Sequence, residues 1–152
     1  DPIVSKTLLD PHRLPEMFAQ LKTQQKTFGV TGGTHAAALF NKGYSLITAK
    51  EDIVWHNAVD KVVGSCLNSG ELTNGFAMLV SGRVSYEIIS KAFIARIPYV
   101  IGVSACSSLA VDFAKEFGIG LIGFSRSDRA TIYSHPSIYT IGTFFTMKCI
   151  FL

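Results

Sequence analysis

The chain has 152 residues, of which 48% are hydrophobic and 16% charged, with a net charge of +3. That is enough for one domain with a substantial core, and no run reaches the roughly 18 uninterrupted apolar residues of a membrane span. The mild charge, with no dense Lys/Arg run and no aromatic ladder, argues against nucleic acid or an anionic membrane as partner. Cys66, Cys106 and Cys149 are odd in number and irregularly spaced, which fits neither a disulfide framework nor a zinc pattern. A reducing cytoplasm is the simplest compartment for such a chain. The start at Asp1 reads as that of a fragment with an upstream region missing.

In chain order, residues 3–9 read as extended. Asp10-Pro11 signals a helix start, and residues 11–25 can be helical with Leu14, Phe18 and Leu21 on one face. Residues 27–30 suggest a brief strand. Residues 31–39, T-G-G-T-H-A-A-A-L, read as a glycine turn feeding an alanine-rich helix start, whose free N–H groups would suit an anion. The Lys-Ser/Thr of a phosphate loop does not follow. Residues 44–49 form a predicted strand. Residues 54–66, V-W-H-N-A-V-D-K-V-V-G-S-C, form a predicted helix with Trp55, Val59, Val62, Val63 and Cys66 on its core stripe. His56 and Asp60 are neighbours four apart, with Asn57 and Lys61 further round. Taken alone, that polar face reads as a solvated surface with an i,i+4 ion pair.

Strands then alternate with helices. Strands are expected at 76–80, 99–103, 119–124 and 130–133, and helices at 85–96 and 108–117, with Ile88, Ile89, Ala92 and Phe93 buried in the first of these. The strands are continuous apolar runs, so both sheet faces should be covered. The fold class is α/β, a three-layer domain with several parallel strands. Residues 1–136 form this single domain. Residues 137–152 have no trusted periodicity and read as an atypical tail.

Three strands lead into similar turns: Ser81-Gly82-Arg83, Ser104-Ala105-Cys106-Ser107-Ser108 and Ser125-Arg126-Ser127-Asp128-Arg129. Each alone reads as helix capping. If the strands are parallel, these turns share one sheet edge, where open α/β sheets bind ligands. Their hydroxyls with Arg83, Arg126 and Arg129 would suit an anionic, phosphorylated ligand.

The motifs T-G-G-T-H-A-A-A-L (31–39), H-N-A-V-D-K (56–61), S-G-R-V-S-Y-E-I (81–88), S-A-C-S-S-L-A-V-D (104–112), G-F-S-R-S-D-R (123–129) and I-Y-S-H-P (132–136) occur in this order. Together they resemble the formate dehydrogenase accessory sulfurtransferase family, the FdhD-type sulfur carriers, over residues 14–136. The resemblance implies a cytidine-deaminase-like mixed sheet without the deaminase zinc site. It implies a role in passing sulfur from a cysteine desulfurase to the bis-molybdopterin guanine dinucleotide cofactor of formate dehydrogenase, with GDP or GTP as surrogate ligands. It also implies a homodimer, no structural metal, and the formate dehydrogenase catalytic subunit as a partner. Residues matching the family's guanine-dinucleotide stretch are Phe124, Ser125, Arg126, Ser127, Asp128 and Arg129. Arg83, Thr34, His35, His56, Asn57 and Asp60 complete the candidate set.

Three departures stand out. The family's sulfur-carrying Cys-x-x-Cys loop lies upstream of this chain's start, so the chain resembles the C-terminal domain alone. Trp55 stands where an Arg is usual. Cys106 stands where Pro is common, and beyond Pro136 the resemblance ends. Cys106 is the weak candidate for a substitute sulfur carrier, since a helix N-terminus would favour its thiolate; a small turn residue is the plainer reading. Two other functions remain open: a nucleotide hydrolase or deaminase using His35, His56 and Asp60, and a non-catalytic docking module for formate dehydrogenase. The zinc-deaminase pattern of His/Cys-x-Glu with Pro-Cys-x-x-Cys is missing.

Overall fold

The computed structural model describes residues 1–24, 33–126, 129–139 and 146–149. After a 3-10 turn at Pro11–Arg13 come α1 (Leu14–Gln24), β1 (His35–Phe40), β2 (Leu46–Asp52) and α2 (Trp55–Ser69). Then follow β3 (Ala77–Val80), α3 (Tyr86–Ile94), β4 (Tyr99–Gly102), α4 (Ser108–Phe117), β5 (Gly120–Gly123), β6 (Arg129–Ile132) and β7 (Thr146–Cys149). The strands form one seven-stranded sheet in the order β2-β1-β3-β4-β5-β6-β7. β3, β4 and β5 are parallel. β1 runs antiparallel to both β2 and β3, and β6 antiparallel to β5.

The apolar runs of the central strands are explained by cover on both faces. Ala37, Leu39, Met78, Val80, Val100 and Leu121 pack on one side against α2, α3 and α4. The alternating neighbours Ala38, Phe40, Ala77, Leu79, Tyr99 and Ile101 face the other way, against α1, Leu9 and Tyr139. Full burial of each large side chain contributes about 1.5–3 kcal/mol. Phe93, expected to be buried, is only partly so, packed on the rim of the first cluster.

The helices start where the sequence signals them. The Ser85 hydroxyl accepts from the Ile88 amide at 3.4 Å, and the Ser107 hydroxyl from the Ala110 amide at 3.1 Å. Each satisfies one of the free donors of a first turn. α4 ends at Gly118, whose φ of +80° is the left-handed conformation glycine adopts without strain. A Cβ there would lie against the Ile3 carbonyl.

One element is corrected. Residues 35–40 are not a helix start but strand β1, paired on both sides. Alanine has the strongest intrinsic helix propensity, but two flanking strands satisfy every ladder position, and burial on both faces decides the outcome. No helix N-terminus follows the glycines at that place, so that part of the anion argument falls. Residues 27–30 lie outside the described residues. At the C-terminal end, Thr146–Cys149 pairs in parallel with β6, a strand that the sequence pattern did not announce.

Candidate functional site

The strand directions bring six chain ends to one rim. The carboxyl ends of β3, β4 and β5 meet there because those strands are parallel. His35 at the start of β1, Asp52 at the end of β2 and Arg129 at the start of β6 join them through the antiparallel pairings. α2, α3 and α4 all begin at this rim. Thr34, His35, His56, Arg83, Phe124, Ser125, Arg126 and Arg129 are therefore brought to one side of the sheet. Ser127 and Asp128 lie outside the described residues.

The turns are laced to one another. The Ser81 amide donates to the Ala36 carbonyl at 3.0 Å, and the Ser81 hydroxyl accepts from the Ala36 amide at 2.8 Å. The Val84 amide donates to Ala105 O, and the Ser107 amide donates back to Val84 O. The Phe124 amide donates to Ser104 O, and the Ser125 amide to Gly102 O. Phe124 sits at a φ of 49° with its ring 47% exposed. A non-glycine residue in the left-handed region is uncommon, and here the backbone bonds on both sides of it hold it there.

The three arginines differ. Arg83 and Arg129 are exposed, and no described side chain or carbonyl pairs with their guanidinium groups. The Arg126 guanidinium donates from one nitrogen to Val103 O at 2.6 Å and to Ser125 O at 2.8 Å. Two donors on the rim are buried without a partner among the described residues: the indole N–H of Trp55 and the hydroxyl of Ser125, a residue with no exposure. Such groups cost roughly 1–3 kcal/mol unless something pairs with them.

On the α2 side of the rim the charged side chains are paired, and the Trp55 indole N–H is the exception among the described groups. His56 stands 3.8 Å from Glu87, and Asp60 bonds Lys91 at 2.7 Å, both on α3. The expected ion pair within α2 is thus replaced by pairs across two helices, through Glu87 and Lys91, an i,i+4 pair in their own right. Lys61 bonds Asp52 at 2.7 Å and the Glu51 carbonyl at 3.0 Å. The Lys61 ammonium, with the Val54 amide and Asn57 adding to it, lowers the Asp52 carboxyl to about 2. Thr34 donates to Glu51 at 3.1 Å. Trp55 meets His35 edge to face at 5.5 Å, and both rings flank Gly82. Trp55 sits on the core stripe, and nothing in the helical pattern distinguished its indole from plain packing.

Cys106 is the weak carrier candidate, with a small turn residue as the plainer reading. It precedes a helix start, yet burial pushes its thiol up to about 12. Its sulfur lies under the rim, 2.9 Å from where a Cβ on Gly123 would stand. Desolvation outweighs the helix terminus, so the thiolate needed for sulfur chemistry is disfavoured. Cys66 is buried in the core, as its stripe position predicted. Among the described residues no three His, Cys, Asp or Glu side chains cluster as a metal site, and no helix is long and apolar enough to cross a membrane.

Comparisons with known proteins agree with this arrangement. The model of the FdhD/NarQ family matches residues 1–139, beyond both ends of the stretch that the motifs delimit. A sulfur carrier protein FdhD from Sulfolobus acidocaldarius is 46% identical over 125 residues, covering 81% of this chain and 48% of the relative. A crystal structure described as a formate dehydrogenase accessory protein, from Desulfotalea psychrophila, superposes with a TM-score of 0.83 at 27% identity, covering 91% of this chain and 62% of that one. A guanine deaminase from Nitrosomonas europaea superposes with a TM-score of 0.56 at 14% identity, covering 81% of this chain and 80% of that one, which bears on the fold alone. The fold is thus the deaminase-like α/β sandwich that the resemblance implied. The chain spans about half the length of the curated relatives it matches.

Proposed function

The chain belongs to the FdhD/NarQ family, and on that premise we propose that it is the cofactor-holding part of a sulfur carrier for formate dehydrogenase maturation. In this reading its rim grips the guanine-dinucleotide portion of bis-molybdopterin guanine dinucleotide. The cofactor supplies the molybdenum centre that receives sulfur, and the sulfur comes from a cysteine desulfurase. The observation that carries the reading is a laced ledge of strand ends bearing two exposed guanidinium groups, Arg83 and Arg129, that pair with no described residue. The strands that lead to them, β3 and β6, are three places apart in the sheet, about 14 Å at the usual strand spacing.

The residues present suit such a group. Arg83 and Arg129 offer planar forks for phosphate oxygens. The exposed ring of Phe124 offers a face for a purine. The buried donors of Ser125 and Trp55 await acceptors. His56, Asn57 and Asp60 are engaged with Glu87, Asp52 and Lys91, so they shape the α2 end of the rim instead of reaching out. Thr34 and His35 border it at the start of β1. Cys106 carries no sulfur in this reading, because its thiol is buried and held protonated. The further partners are the formate dehydrogenase catalytic subunit and a second copy of the chain, in a reducing cytoplasm. Exposed Tyr86 and Leu109, on the first turns of α3 and α4, supply apolar surface for such contacts.

Isothermal titration with GDP tests the reading. Saturable binding that ADP does not match is expected. No binding at millimolar GDP would overturn it.

A further inference from the structure

We infer that Arg126 is a positioning residue of the rim and not one of its anion contacts. One guanidinium nitrogen of Arg126 already donates twice, to Val103 O at 2.6 Å and to Ser125 O at 2.8 Å. Val103 belongs to the turn after β4, and Ser125 to the turn after β5. The same residue's amide donates to Arg129 O at 2.7 Å, which ties the turn to the start of β6. Arg126 thus ties its own turn to two other chain segments, the turn after β4 and the start of β6. Neither Arg83 nor Arg129 has a comparable bond to a described residue.

The charge of Arg126 has a local use. Its nitrogen bridges two carbonyl oxygens from adjacent strand ends. Carbonyls that accept from a cation form charge-assisted bonds, stronger than neutral ones. The bonds hold the β4–α4 turn, residues 103–107, at a fixed height beside Phe124. The Phe124 and Ser125 amides, bonded to Ser104 O and Gly102 O, lie directly next to this tie. Removing the guanidinium loosens the ledge on which a ligand would rest. Moving the guanidinium onto a phosphate would cost both carbonyl bonds. Arg129 and Arg83 have no such bonds to described residues to give up, which leaves them to meet an anion.

This division of labour rests on the anion-binding reading only for Arg83 and Arg129; the tie stands without it. The test compares Arg126→Ala and Arg129→Ala with the parent chain in two measurements. The first is amide hydrogen exchange without ligand. Arg126→Ala should speed exchange at Phe124, Ser125 and Ser107 about tenfold, and Arg129→Ala should leave those amides unchanged. The second is GDP affinity over a range of ionic strength. Arg129→Ala should weaken binding about tenfold and flatten its salt dependence, because a phosphate contact is lost. Arg126→Ala should weaken binding several-fold with the parent's salt dependence intact. If Arg126→Ala folds poorly, Arg126→Lys, which keeps the charge without the planar fork, carries the same comparison. Parent-like exchange together with a flattened salt dependence in the Arg126 variant would overturn the assignment. Should the parent bind no GDP, the exchange measurement still decides the tie, while the functional reading falls by itself.

Discussion

Two polar regions border the same rim, and they are satisfied in opposite ways. On the α2 side every charged group that the sequence singled out has a partner: His56 with Glu87, Asp60 with Lys91, Lys61 with Asp52. On the β5–β6 side, among the described residues, neither the Arg129 guanidinium nor the buried hydroxyl of Ser125 has a partner. A protein at equilibrium with water loses little by pairing exposed charges and gains little. It loses more by burying a polar group alone. The α2 charges are therefore spent on one another, whereas the β5–β6 end keeps the groups that the proposed function assigns to a ligand. The motif H-N-A-V-D-K names the paired region.

The sharpest way to break that comparison is to disturb the β5 end sterically. A Cβ on Gly123 would lie 2.7 Å from the Tyr133 ring, 2.9 Å from the Cys106 sulfur and 3.2 Å from Ser104 O. Two of these neighbours are a packed ring and a backbone oxygen, neither of which can yield cheaply. Gly123→Ala should therefore destabilise the chain by about 1–3 kcal/mol and weaken GDP binding through the displaced Ser104 turn. Thermal unfolding beside a GDP titration would measure both. A variant with parent-like melting and affinity would mean that the ledge is soft and the comparison empty.

How much of this was legible follows from which forces are local. The run from β3 to β5 could be read because its signals are local: apolar strands bounded by Ser85 and Ser107 caps. That the turns share an edge followed from parallel pairing alone. β1 was misread because a Gly-Gly turn before three alanines is a helix signal locally, and the pairing that overrules it comes from residues 46–52 and 77–80. β7 gave no local signal at all, and its existence depends on β6 beside it. Within the site, the arginine positions were legible and their roles were not. Whether a guanidinium is free or spent on Val103 O depends on loop geometry that no spacing encodes. Cys106 shows the same limit, since the burial that raises its thiol is invisible in the sequence.

The α2 side can be probed by acid. Asp52 titrates at about 2 against an ordinary 3.8, mainly through its bond from Lys61. A carboxyl lowered on folding contributes stability above its unfolded pKa and loses it as pH falls through the folded value. The contribution should thus be whole at neutral pH, shrink between about pH 4 and 2, and vanish below. Lys61→Met should move the Asp52 midpoint back toward 3.8, while the Val54 amide keeps it somewhat below. Titration of the Asp52 carboxyl by NMR in both proteins measures this directly. A midpoint still near 2 in the variant would show that the α2 entry is held by its amides and not by the ion pair.

The smallest effect belongs to Asp60, and its smallness is the point. Its partner Lys91 has a side chain only 23% exposed, whereas Asp60 itself is 56% exposed, so water competes for one end of the bond. Lys91 also has Glu87 within 3.5 Å, which can take over much of its charge when Asp60 is gone. An exposed pair with a substitute partner falls in the range of about 0.2–1 kcal/mol. Asp60→Asn should cost no more than that by chemical denaturation, with less cost still at high salt. GDP affinity should be unchanged, because the Asp60 carboxylate is bonded to Lys91 on α3. A tenfold change in GDP affinity in this variant, with stability intact, would move the ligand to the α2 end and reverse the roles of the two regions.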